Sequence, residues 1–188
     1  MTKTQTGEIQ IPGYVAGTWT IDPVHSEVGF SVRHMMVSKV RGKFTKFGGE
    51  LVTGHDVLAS SVTAEIDLAS IETGAEQRDA HLRSPDFFDT ENHPLMTYRS
   101  TGIRQDGEDF IVDGALTLKG VTRSVPLKLE LNGFGPDAYG GTRAGFSATA
   151  EINRQDFGVN WNAAMEHGGV VVSDKVAINL EIEAILQA

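Results

Sequence analysis

Hydrophobic and polar residues alternate with a period of two along most of this chain. In the segment from Val24 to His34, valine and phenylalanine side chains fall on one face and charged or hydroxyl side chains on the other. The apolar face consists of Val24, Val28, Phe30 and Val32, and the polar face of His25, Glu27, Ser31 and Arg33. This alternation is typical of an antiparallel strand with one buried face.

Similar alternation returns in eight further segments, which we interpret as strands. They are Gly17 to Asp22, Val40 to Val52, Leu58 to Leu68, Met96 to Gly102, Phe110 to Lys119, Val125 to Leu131, Ala144 to Ile152 and Val176 to Leu186. The Gly48-Gly49 pair inside one of them predicts a bulge or a sharp bend. The chain therefore has eight or nine predicted strands and almost no helix.

Strands in this number predict an all-β fold, a single antiparallel up-and-down barrel of about eight strands, because closure removes unpaired edges. The irregular segment 70–94 predicts a short helical insertion near residues 74–90, which forms a lid or rim. Residues 1–14 are predicted to be a flexible arm, and residues 15–188 the barrel domain. Small inward residues such as Ala64, Ala148 and Ala150 favour a hollow barrel, and the alternative is a packed barrel or sandwich.

The amino-acid composition of the chain argues against some classes of binding partner. The chain of 188 residues has no cysteine and a formal net charge of −9, and no basic run stands out. Nucleic acid is therefore not expected as a partner, and an acidic surface repels anionic membranes. No segment approaches the roughly 20 apolar residues of a membrane span, and the first residues lack the apolar run of a secretion signal. These features predict a soluble, cytoplasmic protein.

Two short segments hold residue types used in acid–base catalysis. Arg78-Asp79-Ala80-His81 has a carboxylate near an imidazole, and the spacing favours surface pairs on a short helix. In the second segment, Asp22-Pro23 predicts a turn rather than a nucleophile with its base. The six histidines, at 25, 34, 55, 81, 93 and 167, show no metal-ligand spacing. We therefore predict no catalytic residue, metal or cofactor.

Four motifs, in order, resemble those of the YceI-like family. They are Trp19-Thr20-Ile21-Asp22 with His25-Ser26, Arg78-Asp79 with His81-Leu82 and Asp86-Phe87-Phe88-Asp89, Leu116 to Thr122 with Val125-Pro126-Leu127, and Asn153 to Gly158. The resemblance covers about Trp19 to Ile185. It implies a lipocalin-like barrel that binds a polyisoprenoid or similar long-chain amphiphilic lipid for storage or transport, without catalysis. Many relatives are periplasmic.

The barrel pattern and this resemblance together give candidate ligand contacts. The apolar candidates are Val28, Phe30, Val32, Phe44, Val62, Ile66, Phe87, Phe88, Leu116, Leu118, Leu127, Phe146 and Ile178. Phe87 and Phe88 are expected either to line the mouth or to cork one end. Arg78 and His81 are candidates for a head group or for a structural role. The alternative function is a lipid-acting hydrolase or isomerase that uses Asp79, His81 and His25, and a homodimer is left open.

Overall fold

Twelve strands and one short helix make up the computed structural model, which describes residues 9–166 and 169–187. The strands are β1 (Gly17–Ile21), β2 (Glu27–His34), β3 (Ser38–Phe44), β4 (Phe47–Thr53), β5 (Ser61–Asp67), β6 (Ile71–Glu72), β7 (Leu95–Asp106), β8 (Asp109–Leu118), β9 (Val121–Ser124), β10 (Leu127–Pro136), β11 (Thr142–Asn153) and β12 (Val172–Leu186). Helix α1 spans Glu76–Arg83, and single 3-10 turns cover Val57–Ala59, Leu68–Ser70 and Arg154–Phe157. Within these residues, no helix has the length and apolar character needed to cross a membrane.

The twelve strands form a barrel of eight strands. Four of the eight are each divided by a bend into two of the strands given above. β1 and β2 both pair with β12, and β9 and β10 both pair with β8. β3 and β4 pair with β2 and β1, and β5 and β6 pair with β4 and β3, so each of these two pairs also continues one barrel strand. Every neighbouring pair is antiparallel and consecutive in sequence, and β1 and β2 close the ring on β12. The predicted up-and-down barrel of about eight strands is confirmed, as is the helical insertion.

The bend between β1 and β2 shows how the sequence keeps the ring closed across an interruption. Asp22 accepts the Val24 N–H at 3.0 Å, which forms the turn predicted from Asp22-Pro23. The Ser26 hydroxyl then accepts the Glu183 N–H at 3.0 Å and donates to the Glu183 carbonyl at 3.2 Å. A side chain thus replaces the missing backbone ladder bonds, so β12 loses no partner at the bend.

In an up-and-down barrel, successive connections lie alternately at the two ends. The helix end holds the 35–37 turn, the α1 insertion, the 119–120 turn and the 154–171 connection. The arm end holds residues 9–16, the 54–60 connection and the 107–108 and 137–141 turns. One core cluster gathers Leu68, Phe87, Leu118 and Phe157 toward the helix end. A second is built around the buried Trp19 toward the arm end.

Three local predictions are wrong, each at the end of a strand. Val24 lies in the turn before β2 and is 82% exposed, because the turn formed by Asp22 and Pro23 ends the alternation before the strand begins. Leu58 belongs to a 3-10 turn whose N-terminus is capped by Asp56, and its side chain is exposed. The break between β3 and β4 falls at residues 45–46 and not at Gly48-Gly49. Of the predicted arm, residues 1–8 lie outside the described residues, and so does His167.

Candidate functional site

The barrel encloses an apolar cavity with a volume of about 190 Å³. Its wall is built from the inward side chains of the barrel strands, with the strongest contribution from β4, β5, β7, β8, β10 and β12. The apolar side chains in the wall include Ile21, Val28, Phe47, Leu51, Val62, Ala64, Ile66, Met96, Ile103, Phe110, Val112, Leu116, Val125, Leu127, Leu129, Leu131, Phe134, Phe146, Ala148, Ile178, Leu180 and Ile182. Such a wall favours an apolar ligand over water.

Several inward side chains of this wall are only partly buried. Val62, Leu127, Leu129, Ile178 and Ile182 point into the barrel and still keep accessible surface. In a packed interior, side chains at such positions fill the space to crystal-like density. Their remaining surface faces the cavity. The barrel is hollow, and the alternative of a packed barrel is wrong.

The mouth of the cavity lies at the arm end. Three of the residues that line the cavity from outside the strands, Tyr14, Val57 and Ser60, belong to connections at this end. The Tyr14 hydroxyl donates to the Gly54 carbonyl at 2.6 Å, with the Ser60 hydroxyl 3.4 Å away. Polar groups are therefore concentrated where the apolar cavity meets solvent.

A layer of aromatic side chains closes the helix end. The Phe44 ring lies 5.8 Å from that of Phe30 and 6.1 Å from that of Phe88, measured between ring centroids. Phe87 packs against Trp161 at 5.3 Å. Aromatic rings at these separations attract one another in addition to burying apolar area. This layer fills the barrel at the helix end and separates the cavity from α1.

The connection that carries Trp161 is held by one buried guanidinium. Arg154 is 4% exposed and donates to the carbonyls of Val159 and Trp161, each at 2.8 Å, and of Ser173 at 2.9 Å. A further bond reaches Val172 at 3.2 Å. Burial lowers the pKa of Arg154 relative to its usual value. These bonds satisfy the buried charge and tie the 154–171 connection to β12.

Charged side chains form a cluster on the outer surface of the barrel. Arg143 donates to Asp22 at 2.8 Å, to Glu183 at 3.2 Å and to Asp137 at 3.2 Å, and His25 lies 2.7 Å from Asp22. Hydrogen bonds from His25 and Arg143 lower the pKa of Asp22 to about 2. Ligand atoms of Asp22, His25 and Glu183 lie within 4.8 Å of one another, and Arg143 supplies the positive charge at that point.

The sequence model of the YceI-like domain matches residues 19–184. The chain belongs to the YceI-like family. It is 35% identical over 176 residues to protein YceI of Escherichia coli, covering 92% of this chain and 89% of that protein.

Two solved structures extend the comparison. Burkholderia cenocepacia BcnA aligns with this YceI-like chain with a TM-score of 0.76 at 24% identity, over 87% of this chain and 98% of that one. A polyisoprenoid-binding domain from Saccharophagus degradans, implicated in plant cell wall breakdown, aligns with a TM-score of 0.68 at 18% identity. This second alignment covers 90% of the chain described here and 98% of the other. Both likenesses show the fold.

In this YceI-like barrel, the thirteen predicted apolar contacts fall into two groups. The residues in the cavity wall are Val28, Val62, Ile66, Leu116, Leu127, Phe146 and Ile178. The residues outside the wall are Phe30, Val32, Phe44, Phe87, Phe88 and Leu118. Phe87 and Phe88 lie in the helix-end layer, which is the arrangement expected of a cork and not of a mouth. Contact of either group with a ligand stays a prediction.

The predicted polar residues do not converge on the cavity. His25 contacts Asp22 on the outer surface, and His81 lies 2.8 Å from Asp86. Asp79 is buried and accepts hydrogen bonds from the backbone and hydroxyl of Thr73. None of these residues lines the cavity.

Arg78 is likewise engaged elsewhere, because its guanidinium donates to the Thr73 hydroxyl and carbonyl, each at 2.7 Å. It does not line the cavity, and neither does His81. The head-group role of both residues stays a prediction.

Some wall residues of this YceI-like protein were not among the predicted contacts. Leu129, Leu180 and Ile182 continue the alternation of β10 and β12, so the sequence contained the signal for them. Tyr14 precedes the first strand, and Met96 stands at the start of β7. Their place in the wall depends on how the ends of the barrel fold, which alternation does not encode.

Proposed function

We propose that this YceI-like protein binds a polyisoprenoid or a similar long-chain amphiphilic lipid inside its barrel, for storage or transport and without catalysis. The observation that carries the proposal is the apolar cavity of about 190 Å³, open at the arm end. The Saccharophagus degradans neighbour, described as a polyisoprenoid-binding domain, supports the choice of ligand class. Burial of each methylene group contributes about 0.8 kcal/mol, which is the driving force for binding.

The volume of the cavity sets how much of such a chain it takes. An apolar cavity of about 150 Å³ binds benzene, so the cavity in this barrel takes about eight carbon atoms, which is between one and two isoprene units of five carbons each, in the conformation described. A longer chain requires the cavity to widen or the remainder to leave through the mouth. We place the end of the tail against Tyr98 and Leu116, and the rest toward Ser60.

The polar end of the ligand is proposed to lie at the arm end. Tyr14 and Ser60 supply hydroxyl groups there, whereas the wall deeper in the barrel is almost entirely apolar. A hydroxyl or amide head group can exchange hydrogen bonds with these residues and with water at the mouth. This orientation leaves no polar group of the ligand buried without a partner.

The alternative of a lipid-acting enzyme lacks support in the geometry. It requires Asp79, His81 and His25 to approach one another and the cavity, and each of these residues is engaged with a different partner outside it. Catalysis through these three residues is therefore not part of the proposal.

Native mass spectrometry of the full chain, followed by organic extraction, tests the proposal. The protein is measured as purified and after incubation with prenyl alcohols of increasing length and with a fatty amide. We expect one lipid per chain, with an affinity that rises with chain length until the cavity is full. A protein that carries no lipid and takes up none of these compounds would contradict the proposed function.

A further inference from the structure

The turn between β2 and β3 has an unusual combination of backbone and side chains. His34 and Ser38 are paired, and the His34 carbonyl accepts the Val37 N–H at 3.2 Å. The two central residues, Met35 and Met36, have φ angles of 50° and 61°. Turns with positive φ at both central positions favour Asn-Gly, because other side chains are strained there. Methionine at both positions therefore destabilises the turn. The presence of the two methionines is not explained by the stability of the fold.

The same turn exposes apolar surface. Val37 is 84% exposed, Met36 61% and Met35 42%, and the adjacent Val170 is 40% exposed. The Met35 N–H donates to the Val171 carbonyl at 2.8 Å, which fixes the turn against the 169–171 segment. These four side chains form one apolar tip at the helix end. Contiguous apolar surface of this kind marks a binding site more often than isolated exposed residues do.

Four basic side chains lie on β2 and β3, the two strands that lead into this turn. Lys39, Arg41 and Lys43 occupy alternate, exposed positions on the outer face of β3, and Arg33 is exposed opposite Lys39 on β2. Like charges directly opposite each other destabilise a strand pair. None of the four side chains forms an ion pair or hydrogen bond with another described residue. They stand out in a chain whose net charge is −9.

The acidic residues on the neighbouring strands do not pair with these cations. Glu72 is the strand neighbour of Lys43, without an ion pair between them, and Asp174 on β12 accepts from Gln155 and faces Arg154. Glu166 is exposed in the connection whose 169–171 segment contacts the turn. Charges more than about 8 Å apart are largely screened at physiological ionic strength, so acidic groups elsewhere on the barrel at such distances have little effect at the turn. The hairpin therefore presents a local positive field with an apolar tip.

We propose that the β2–β3 hairpin docks the protein onto an anionic lipid bilayer. The apolar tip enters the boundary between head groups and acyl chains, and the cations meet the lipid phosphates. Strands rise about 3.3 Å per residue, so Lys39 and Arg41 lie about 7 and 13 Å behind Val37. Apolar faces of interfacial segments are buried by about 5–10 Å, which brings these cations to the level of the head groups.

A bilayer fits both features better than a nucleic acid does. The phosphates of a nucleic acid would pair with the cations. A nucleic acid backbone has no apolar region, however, in which the exposed side chains of Met35, Met36 and Val37 could be buried. An anionic bilayer offers phosphate and acyl chain at the two depths that the hairpin presents. Docking through this hairpin does not depend on the cavity being filled.

Vesicle flotation with the full chain tests this proposal. Vesicles of phosphatidylcholine alone are compared with vesicles of equal parts phosphatidylcholine and phosphatidylglycerol. The first variant combines Lys39→Glu with Arg41→Glu, and its control combines Arg99→Glu with Lys128→Glu, which changes the charge equally on exposed positions elsewhere. The second variant combines Met35→Asn with Met36→Gly, which relieves the backbone strain and therefore folds at least as well as the parent.

We expect the parent and the control to float with the anionic vesicles only, and added salt to weaken that binding. Each cation near the surface contributes about fivefold, so the charge variant is expected to bind about 25-fold more weakly or worse. The turn variant is also expected to lose binding, with an unchanged circular dichroism spectrum. Absence of binding by the parent, or full binding by the turn variant, would overturn the proposal. Tighter binding to DNA than to anionic vesicles would also overturn it.

Discussion

The ring of Tyr98 lies over Gly114 on the neighbouring strand. A Cβ atom at position 114 would overlap the ring and the hydroxyl of Tyr98, which donates to the Val125 carbonyl at 2.8 Å. Burial raises the pKa of Tyr98 above its usual range, so the hydroxyl stays a neutral donor. The absence of a side chain at Gly114 therefore makes room for the residue that forms the inner boundary of the cavity.

Gly114→Ala is expected to destabilise the protein by displacing that ring. An added group that displaces a buried, hydrogen-bonded ring costs about 1–3 kcal/mol, which for a chain of this size lowers the melting temperature by about 2–12 °C. Thermal unfolding followed by circular dichroism measures the change. Gly102→Ala on β7 is the matched control, because a Cβ there meets nothing within 4 Å. Equal effects of the two substitutions would contradict this role of Gly114.

Arg154→Met is expected to loosen the helix-end closure. The substitution keeps much of the side-chain length and removes the donors to four buried or partly buried carbonyls, at a cost of about 3 kcal/mol. Chemical denaturation gives the free energy of unfolding, and Trp161 fluorescence shows whether the connection moves. Arg123→Met serves as the control, because Arg123 is exposed and its side chain makes a single bond, to the Asp156 carbonyl. A change below about 0.5 kcal/mol for Arg154→Met would rule out this bracing role.

Stability is expected to fall in acid partly through Asp22. Its pKa is lowered from 3.8 to about 2 in the folded chain, first by His25 and then by Arg143. A lowered carboxyl pKa stabilises the fold above the unfolded-state value, and this contribution is lost as pH falls from about 4 toward 2. The difference in free energy of unfolding between the parent and Asp22→Asn should therefore shrink across that range. The exposed Asp109→Asn is the control, and a difference that does not change with pH would refute the assignment.

Period two in the sequence was sufficient to predict the barrel and many inward faces. Leu116, Phe146 and Ile178 point inward as expected, because β8, β11 and β12 alternate without interruption over most of their length. Failures occurred where the pattern was extended past a strand end. Pro23 and the cap formed by Asp56 decide these ends, and both override alternation at Val24 and Leu58.

Alternation does not give the height of a residue along the barrel axis. Phe30 and Ile178 are cross-strand partners with the same orientation, yet Ile178 lines the cavity and Phe30 packs against Phe44. The direction in which the Phe30 ring leans depends on the space over Gly42, where a Cβ would clash with it. Such packing depends on residues from different strands, which a single periodicity cannot resolve.

The positive charge of the β2–β3 hairpin is not visible in the sequence for a related reason. Lys39, Arg41 and Lys43 alternate with uncharged residues, so no contiguous basic run exists in the sequence. On a strand, alternate positions share one face, and pairing with β2 adds Arg33 opposite Lys39. The charge cluster therefore exists only after the strands pair.

The most direct test of the account is whether filling the cavity abolishes lipid binding. Ala64→Phe places a ring in the cavity from β5, and Thr63→Phe places the same ring on the outer face of the same strand. Titration of each full-length variant with a prenyl alcohol gives the stoichiometry and Kd. We predict that Thr63→Phe binds one lipid per chain like the parent, and that Ala64→Phe binds at least tenfold more weakly, a loss of about 1.4 kcal/mol. Equal binding by Ala64→Phe, with its fold intact by circular dichroism, would contradict a ligand site inside the barrel.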